Sequence, residues 1–193
     1  MLPKDFFERD PVTCARELIG STLTHQDCSG IVIETEAYAE NGDEACHLFT
    51  RPSAREFAAT HSAGTAYVYL NYGIHWLTNV LCHDVRTGEA GFVLFRALEP
   101  VDGMKKMKRR RDQEALVDLC SGPGKLSQAL GIGPTHHGRS LCESDDFFLA
   151  STESHDYEVE PDKRIGISKA KDLLWRFLAH PHAGVSVPLG KSS

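Results

Sequence analysis

The sequence predicts one mixed domain of strands and helices, and three observations support this. A chain of 193 residues has the length of one domain and can bury roughly 70% of its unfolded surface. Segments with the period-2 alternation of strands and segments with helix capping signals both occur along the chain. We find no internal repeat, low-complexity tract or linker that divides residues 1–193.

The first helix is predicted after Asp10, because Pro11 suits the first helical position and Gly20 follows the apolar run. The polar segment 39–57 has no clear periodicity. We expect it to form a long loop of the kind that often carries function, since it is longer than a simple connection requires.

A strand predicted from Gly30 carries two acidic residues. Period 2 divides its side chains between two faces, with Val32, Glu34, Glu36 and Tyr38 on one and Ile31, Ile33, Thr35 and Ala37 on the other. Glu34 and Glu36 are then roughly 7 Å apart. Such a pair can divide into a general base and a structural acceptor, but exposed carboxylates on a half-buried strand are the commoner arrangement. The pattern leaves both interpretations open.

Two further strands are predicted in residues 64–84, joined by the turn signal Asn71-Tyr72-Gly73. Alternation places Tyr67 and Tyr69 on one face of the first strand, and it places Asn79 among apolar residues on the second. Tyrosines are common in strands, where they pack across a sheet. Their grouping also suits the binding of a flat ligand.

A fourth strand is predicted over GFVLFRALEP, residues 91–100. Alternation places Arg96 on an otherwise apolar face with Phe92 and Leu94. A cation in that position requires a partner.

Charge is unevenly distributed along the chain. With 21 basic and 27 acidic residues the net charge is −6, which argues against a generic nucleic-acid coat. Residues 96–125 hold 8 basic and 5 acidic residues, so the remainder carries a charge of −9. The basic run from Lys105 to Arg111 lies on a predicted helix, and another helix is predicted from Ser121 to Gly131. Such a run is more often a solvated helix face than a phosphate site.

The cysteines and the N-terminus indicate the compartment. Six cysteines lack the C-x-x-C spacing of a zinc knuckle or redox site, so free buried thiols are expected and no metal site is predicted. The N-terminal MLPKDFFERDP has no continuous apolar run, and no segment approaches the ~18 apolar residues of a membrane span. We expect a cytoplasmic protein with no membrane partner.

Several strings follow one another along the chain in a specific order. They are IETEAY (33–38), the acidic loop ending at His47, GTAYVYLNYG (64–73), Asn79, LFRALEP (94–100), CSGPGKLSQALGI (120–132) and RIGIS (164–168). Together these strings resemble the alkyladenine, or 3-methyladenine, DNA glycosylase family. Their order and spacing match the family from about residue 5 to about residue 187. The resemblance implies an α+β fold, a single domain with a curved, largely antiparallel sheet flanked by helices.

The resemblance also implies a monofunctional DNA glycosylase of base excision repair. Such an enzyme flips alkylated or deaminated purines, of the 3-methyladenine, hypoxanthine and ethenoadenine class, out of duplex DNA. Glu36 matches the base that activates water for hydrolysis of the N-glycosidic bond, and Glu34 matches a supporting acid. No metal or organic cofactor is implied, and no amine matches a Schiff-base role, so the abasic site stays uncut. The implied partner is damaged double-stranded DNA, and we expect a monomer.

The base pocket implied by the resemblance contains four residues. Tyr38, His47 and Tyr69 match the residues that sandwich the flipped base, where aromatic faces favour electron-poor cationic purines. Asn79 matches the residue that crowds the 2-amino group of guanine. For His47 a role as a loop-ordering hydrogen-bond donor stays open.

Three DNA contacts are implied as well. Tyr72 matches the wedge that enters the minor groove and fills the space left by the flipped base. Arg96 matches an arginine close to the flipped nucleotide and its phosphate. Lys125, beside the start of a predicted helix, matches a phosphate contact, although a merely solvated lysine stays an alternative.

The chain also departs from the family pattern. Glu56, Ala59 and Thr60 stand where the family usually has an amide and a large apolar pair, Leu174 replaces a proline, and His75 lies beside the implied pocket. These changes leave the preferred lesion undefined. Two rival classes stay open: a catalytically silent damaged-DNA-binding module, and a metal-dependent hydrolase that uses histidine and cysteine.

Overall fold

An eight-stranded antiparallel sheet organises the residues that the computed structural model describes, 1–151 and 157–192. Its strands are β1 (Thr22–His25), β2 (Cys28–Ala39), β3 (Ala66–Asn71), β4 (His75–His83), β5 (Ala90–Asp102), β6 (Phe147–Ala150), β7 (Glu158–Asp162) and β8 (Arg176–His180). The order is β3-β4-β5-β2-β1-β6, and β8 pairs with both β2 and β7. The sheet curls into a half-barrel, which confirms the α+β fold with a curved antiparallel sheet.

Short helices flank the sheet. They are α1 (Pro11–Glu17), α2 (His47–Thr50), α3 (Pro52–Thr60), α4 (Met104–Arg111), α5 (Leu116–Leu119) and α6 (Pro123–Leu130). The Asp10 side chain caps α1 by accepting a hydrogen bond from the Thr13 N–H at 2.9 Å, which confirms the predicted start. Gly131 ends α6 with a φ of 74°, in the left-handed region that favours glycine.

The long loop predicted for residues 39–57 is wrong from His47 onward, where α2 and α3 begin. Ala54, Phe57 and Ala58 recur at helical spacing, and this face of α3 packs in a core cluster with residues of β3, β4 and β5. Tertiary burial therefore orders a segment whose local composition is polar.

A bulge in the β2–β5 ladder corrects the predicted faces of β2. Val32 pairs with Leu98 and Glu34 with Ala97, so Ile33 is an extra residue. Val32 packs into the main cluster that α1 covers, whereas Ile33 packs in a separate cluster with Ala97. The prediction that Val32 shares the face of Glu34 is wrong, because the extra residue between them puts their side chains on opposite faces of the sheet.

The main core fills the space between the sheet and its helices. All six cysteines are free, and five of them are buried. Over the described ranges no helix combines the length and apolar character that crossing a bilayer requires.

Candidate functional site

A pocket of about 600 Å³ opens on the face of the sheet that carries the acidic side chains of β2. Tyr38 of β2, Tyr69 of β3, Asn79 of β4 and Arg96 of β5 line it from the sheet, and His47 at the start of α2 lines it from the flank. Antiparallel pairing brings these distant residues together, since Tyr67, on the Tyr69 face of β3, stands opposite Asn79. The volume lies within the range of about 300–1,000 Å³ that is usual for small-molecule sites.

Glu36 lies behind the pocket wall and is fully buried. Its Oε1 accepts a hydrogen bond from the backbone N–H of Ile165 at 2.7 Å, and its Oε2 accepts one from the Tyr38 hydroxyl at 2.7 Å. Nη1 of Arg96 is 3.3 Å from the same Oε2. These three partners all line the pocket, so the Glu36 carboxylate contacts pocket-lining residues without lining the pocket itself.

Glu34 is also fully buried, so the exposed arrangement of the two carboxylates is wrong. Nε of Arg96 and Nη1 of Arg176 both donate to Oε1 of Glu34 at 2.9 Å. The Ser186 hydroxyl donates to that oxygen at 2.8 Å, and the Ser186 N–H donates to Oε2 at 2.5 Å. Buried charges require this degree of pairing.

Arg96 joins the two carboxylates and is 6% exposed. Burial acts to lower its pKa, but the charges of Glu36 and Glu34 prevail and raise it above the usual value. The partner that this cation requires is therefore a pair of carboxylates in the protein itself.

A second buried ion pair supports the wall. Both terminal nitrogens of Arg164 donate to Asp43, at 2.6 and 2.8 Å. The guanidinium lies 4.7 Å from the ring centroid of Tyr38 and 5.4 Å from that of Trp175. Within the described part of the chain, Nε of Arg164 is the buried side-chain polar atom without a hydrogen bond, and the two ring faces offset its burial. The residue after Arg164 donates its N–H to Glu36, so this pair fixes that donor.

The opposite wall is aromatic and largely uncharged. The His47 and Tyr69 ring centroids are 4.5 Å apart at 64°. Burial, with a smaller contribution from Arg51, lowers the pKa of His47 to about 4, so its imidazole is neutral at pH 7. Burial raises the pKa of Tyr69 to about 12, which keeps its hydroxyl protonated. The Asn79 amide donates to the Tyr67 carbonyl at 3.0 Å, which orients it beside these rings.

The β3–β4 turn carries exposed apolar side chains at the edge of the pocket. Tyr72 is 87% exposed and has a φ of 49°, and Ile74 is 70% exposed. Tyr72 also lines the pocket. A non-glycine residue in the left-handed region is strained, and two large apolar side chains in water add no stability, so the turn indicates a partner surface.

Most of the chain matches one known protein family. A family model described as methylpurine-DNA glycosylase (MPG) matches residues 5–183. The chain belongs to the methylpurine-DNA glycosylase family. The resemblance to alkyladenine DNA glycosylases is thereby confirmed.

Bacterial relatives in this family carry the name "Putative 3-methyladenine DNA glycosylase". The chain is 42% identical to one from Rhodopseudomonas palustris (strain BisB18), over 98% of this chain and 92% of the relative. It is 40% identical to one from Chlorobium phaeobacteroides (strain BS1), over 91% of this chain and 89% of the relative. It is 38% identical to one from Prosthecochloris aestuarii (strain DSM 271 / SK 413), over 96% of this chain and 92% of the relative.

Most of the residues predicted to form the methylpurine-DNA glycosylase site lie at one pocket. Those that line it are Tyr38, His47, Tyr69, Tyr72, Asn79 and Arg96. Glu36 lies behind its wall. Lys125 does not line it: this residue is exposed on α6, with Nζ 3.2 Å from Oγ of Ser121.

Sequence reasoning missed several polar partners of the site. Asp43, which pairs with Arg164, and Ser186, which hydrogen-bonds Glu34, were not singled out, although Asp43 and Arg164 both lie in segments that carried the resemblance. The N–H that binds Glu36 lies 129 residues further along the chain, and no local pattern signals a contact of that range. An isolated arginine in an otherwise apolar strand, such as Arg176 in β8, is the one available signal.

Lys169 at the rim of the pocket was also missed. It forms a 3.5 Å ion pair with Glu44, and both side chains are more than half exposed. No group of three or more His, Cys, Asp or Glu side chains in residues 1–151 and 157–192 is arranged to hold a metal ion.

Proposed function

We propose that this protein is a monofunctional DNA glycosylase that flips alkylated or deaminated purines out of duplex DNA and hydrolyses the bond between base and sugar. One observation carries the proposal: the buried carboxylate of Glu36 is bonded to three groups that line the same pocket as the stacking aromatics. The enzyme acts in the cytoplasm on damaged duplexes, without a metal or organic cofactor.

Recognition begins with Tyr72, which enters the minor groove and fills the space of the extruded nucleotide. Its exposure at the turn and its position at the pocket edge support this role. The flipped base then stacks among Tyr38, His47 and Tyr69, where each ring contact is worth about 1–3 kcal/mol. Asn79, held by the Tyr67 carbonyl, crowds the 2-amino group of a normal guanine.

Hydrolysis depends on Glu36. Its carboxylate accepts a proton from the attacking water, and its negative charge stabilises the sugar cation that develops as the bond to the base breaks. Oxygen from water joins C1′ and the bonding electrons leave with the base. The proton taken up by Glu36 passes to the departing nitrogen of a neutral base such as hypoxanthine, or to solvent when a cationic methylated base leaves neutral. Glu34 supports this step by holding Arg96, which contacts both carboxylates.

Water rather than an amine is the proposed nucleophile. Lys169 is the lysine that lines the pocket, but its side chain is 64% exposed and paired with Glu44, so it lacks the apolar surroundings that activate a lysine nucleophile. We expect no covalent complex with DNA after borohydride treatment and no strand cleavage without alkali. A trapped complex that is absent in Lys169→Gln would instead indicate a lyase.

The central test uses duplexes with one hypoxanthine, ethenoadenine or 3-methyladenine, followed by alkaline cleavage of abasic sites. We expect lesion-dependent breaks with the natural protein and a loss of at least 100-fold in Glu36→Gln, since general-base catalysis supplies about 10²–10⁴-fold. Glu158→Gln, which changes an exposed carboxylate on β7, serves as the control. Undiminished cleavage by Glu36→Gln contradicts the mechanism.

The two rival classes give different results in the same assay. A silent damage-binding module binds lesion duplexes but releases no base. A metal-dependent hydrolase loses activity with EDTA, whereas the water mechanism proposed here does not.

A further inference from the structure

The charged side chains that line the pocket are Glu44, Arg51, Arg96 and Lys169. Three of them are neutralised by ion pairs, since Arg96 contacts Glu34 and Glu36 while Lys169 contacts Glu44. In the ranges 1–151 and 157–192, Arg51 forms no ion pair and instead lies with its guanidinium carbon 5.4 Å from the ring centroid of Tyr69.

Arg51 is held at this position by the helix start. It occupies the residue before α3, directly after α2, and its N–H donates to the His47 carbonyl at 2.7 Å. Its charge already acts on the aromatic wall: burial lowers the pKa of His47 and Arg51 lowers it further, whereas burial raises the pKa of Tyr69 and Arg51 opposes that rise. The wall on which the flipped base stacks therefore carries one uncompensated positive charge.

We propose that Arg51 makes this pocket select uncharged purines, such as hypoxanthine, over the cationic purines produced by methylation at ring nitrogens. The proposal rests on the glycosylase function and adds a specificity-determining residue to it. Aromatic rings alone attract a cationic base. A guanidinium on the same wall repels that base, and it uses the face of Tyr69 for its own cation–π contact.

The hydrogen-bond donors of the guanidinium also favour the binding of a deaminated base. It offers hydrogen-bond donors only, whereas hypoxanthine presents oxygen and nitrogen acceptors along one edge. Methylation at N7 removes an acceptor from that edge and adds the positive charge. The lost acceptor and the added charge both disfavour the N7-methylated base beside Arg51.

The experiment compares kcat/KM on duplexes with one hypoxanthine and one N7-methylguanine. We expect Arg51→Gln to raise the ratio of N7-methylguanine to hypoxanthine activity by about tenfold, and by less at high salt, because Arg51 is solvent-exposed. Arg51→Lys keeps the charge and should keep the ratio. Arg55→Gln is the matched control, since Arg55 is an exposed arginine on α3 that does not line the pocket.

An unchanged ratio in Arg51→Gln, or an equal change in Arg55→Gln, overturns the proposal. Equilibrium binding of the same two duplexes in a Glu36→Gln background provides a second measurement that needs no excision. If the natural protein excises neither base, the proposed function fails, yet the binding ratio with and without Arg51→Gln still decides the role of Arg51.

Discussion

The two walls of the pocket are held in very different ways. The aromatic wall around His47 and Tyr69 is half-buried and rests on ring contacts and single hydrogen bonds. The ionic wall around Glu34 and Glu36 is fully buried and is fixed by arginines and backbone donors. A wall of rings adapts to different flat ligands, whereas a wall of paired charges holds one arrangement in place before substrate arrives.

The largest effect is expected from breaking the ionic wall. Arg176→Met leaves Glu34 and Asp162 without a common buried cation, and we expect a loss of about 3–5 kcal/mol in the free energy of unfolding. Urea denaturation measures it. The control is Lys106→Met, which removes an exposed ion pair to Asp27 and should leave the midpoint of urea denaturation unchanged. Equal stability of the two variants would contradict the claim that the buried ion pairs of the ionic wall hold the fold together.

A change in the aromatic wall should affect catalysis more than stability. Tyr69→Leu keeps much of the apolar volume but removes a stacking face, so kcat/KM for a lesion duplex should fall by about 10- to 100-fold. Tyr69→Phe keeps the ring and should keep most of the activity. If both variants lose activity equally, the hydroxyl group rather than the ring face is what matters.

Acid should act on the aromatic wall through His47. Burial lowers its pKa in the folded protein to about 4, below the ordinary value of 6.5, so the unfolded chain binds the proton more readily between these values. The stability from this group is fully present above pH 6.5 and falls as the pH drops toward 4. The expected loss from pH 7 to 4.5 is about 2 kcal/mol. Denaturation of His47→Gln at both pH values should show a smaller loss than the natural protein, and an identical loss would reject this assignment.

Removing the wedge should leave both walls intact. Because Tyr72 is almost fully exposed, Tyr72→Ala should not lower stability, but it should slow single-turnover excision by about tenfold through weaker flipping. Excision from single-stranded DNA is the control, since no duplex gap has to be filled there. Unchanged single-turnover rates in duplex DNA would remove the wedge assignment.

The smallest effect is expected at Lys125, away from both walls. If this exposed lysine contacts one phosphate, Lys125→Met should lower affinity for damaged and undamaged duplexes alike and reduce the salt slope of log K by about 0.9. Titrations at several salt concentrations measure the slope. A slope that stays the same leaves Lys125 as a solvated side chain.

Local sequence patterns predict the aromatic wall much better than the ionic one. The alternation of Tyr67 and Tyr69 and the turn at Tyr72 are short-range features, and the structure has both as predicted. The bulge at Ile33 is not visible in the sequence, because an extra residue in a ladder depends on the partner strand. The family resemblance, rather than periodicity, singled out Glu36.

The ionic wall shows why contacts of long range escape such reasoning. Asp43 and Arg164 are 121 residues apart, and nothing near either one signals the other. A fully buried acid also contradicts the ordinary exposure of glutamate, so composition favours the wrong environment for Glu34. Only the folded chain displays these pairs.

The Ser186 contacts to Glu34 set the order in which the ionic wall can be completed. Ser186 follows Glu34 by 152 residues, and the ribosome delivers the chain from its N-terminus. During synthesis, the Glu34 carboxylate of the ionic wall therefore lacks its Ser186 donors until residue 186 has been made. A chain that ends before Ser186 can form its early strands, but it lacks two of the donors that hold the Glu34 carboxylate in the ionic wall.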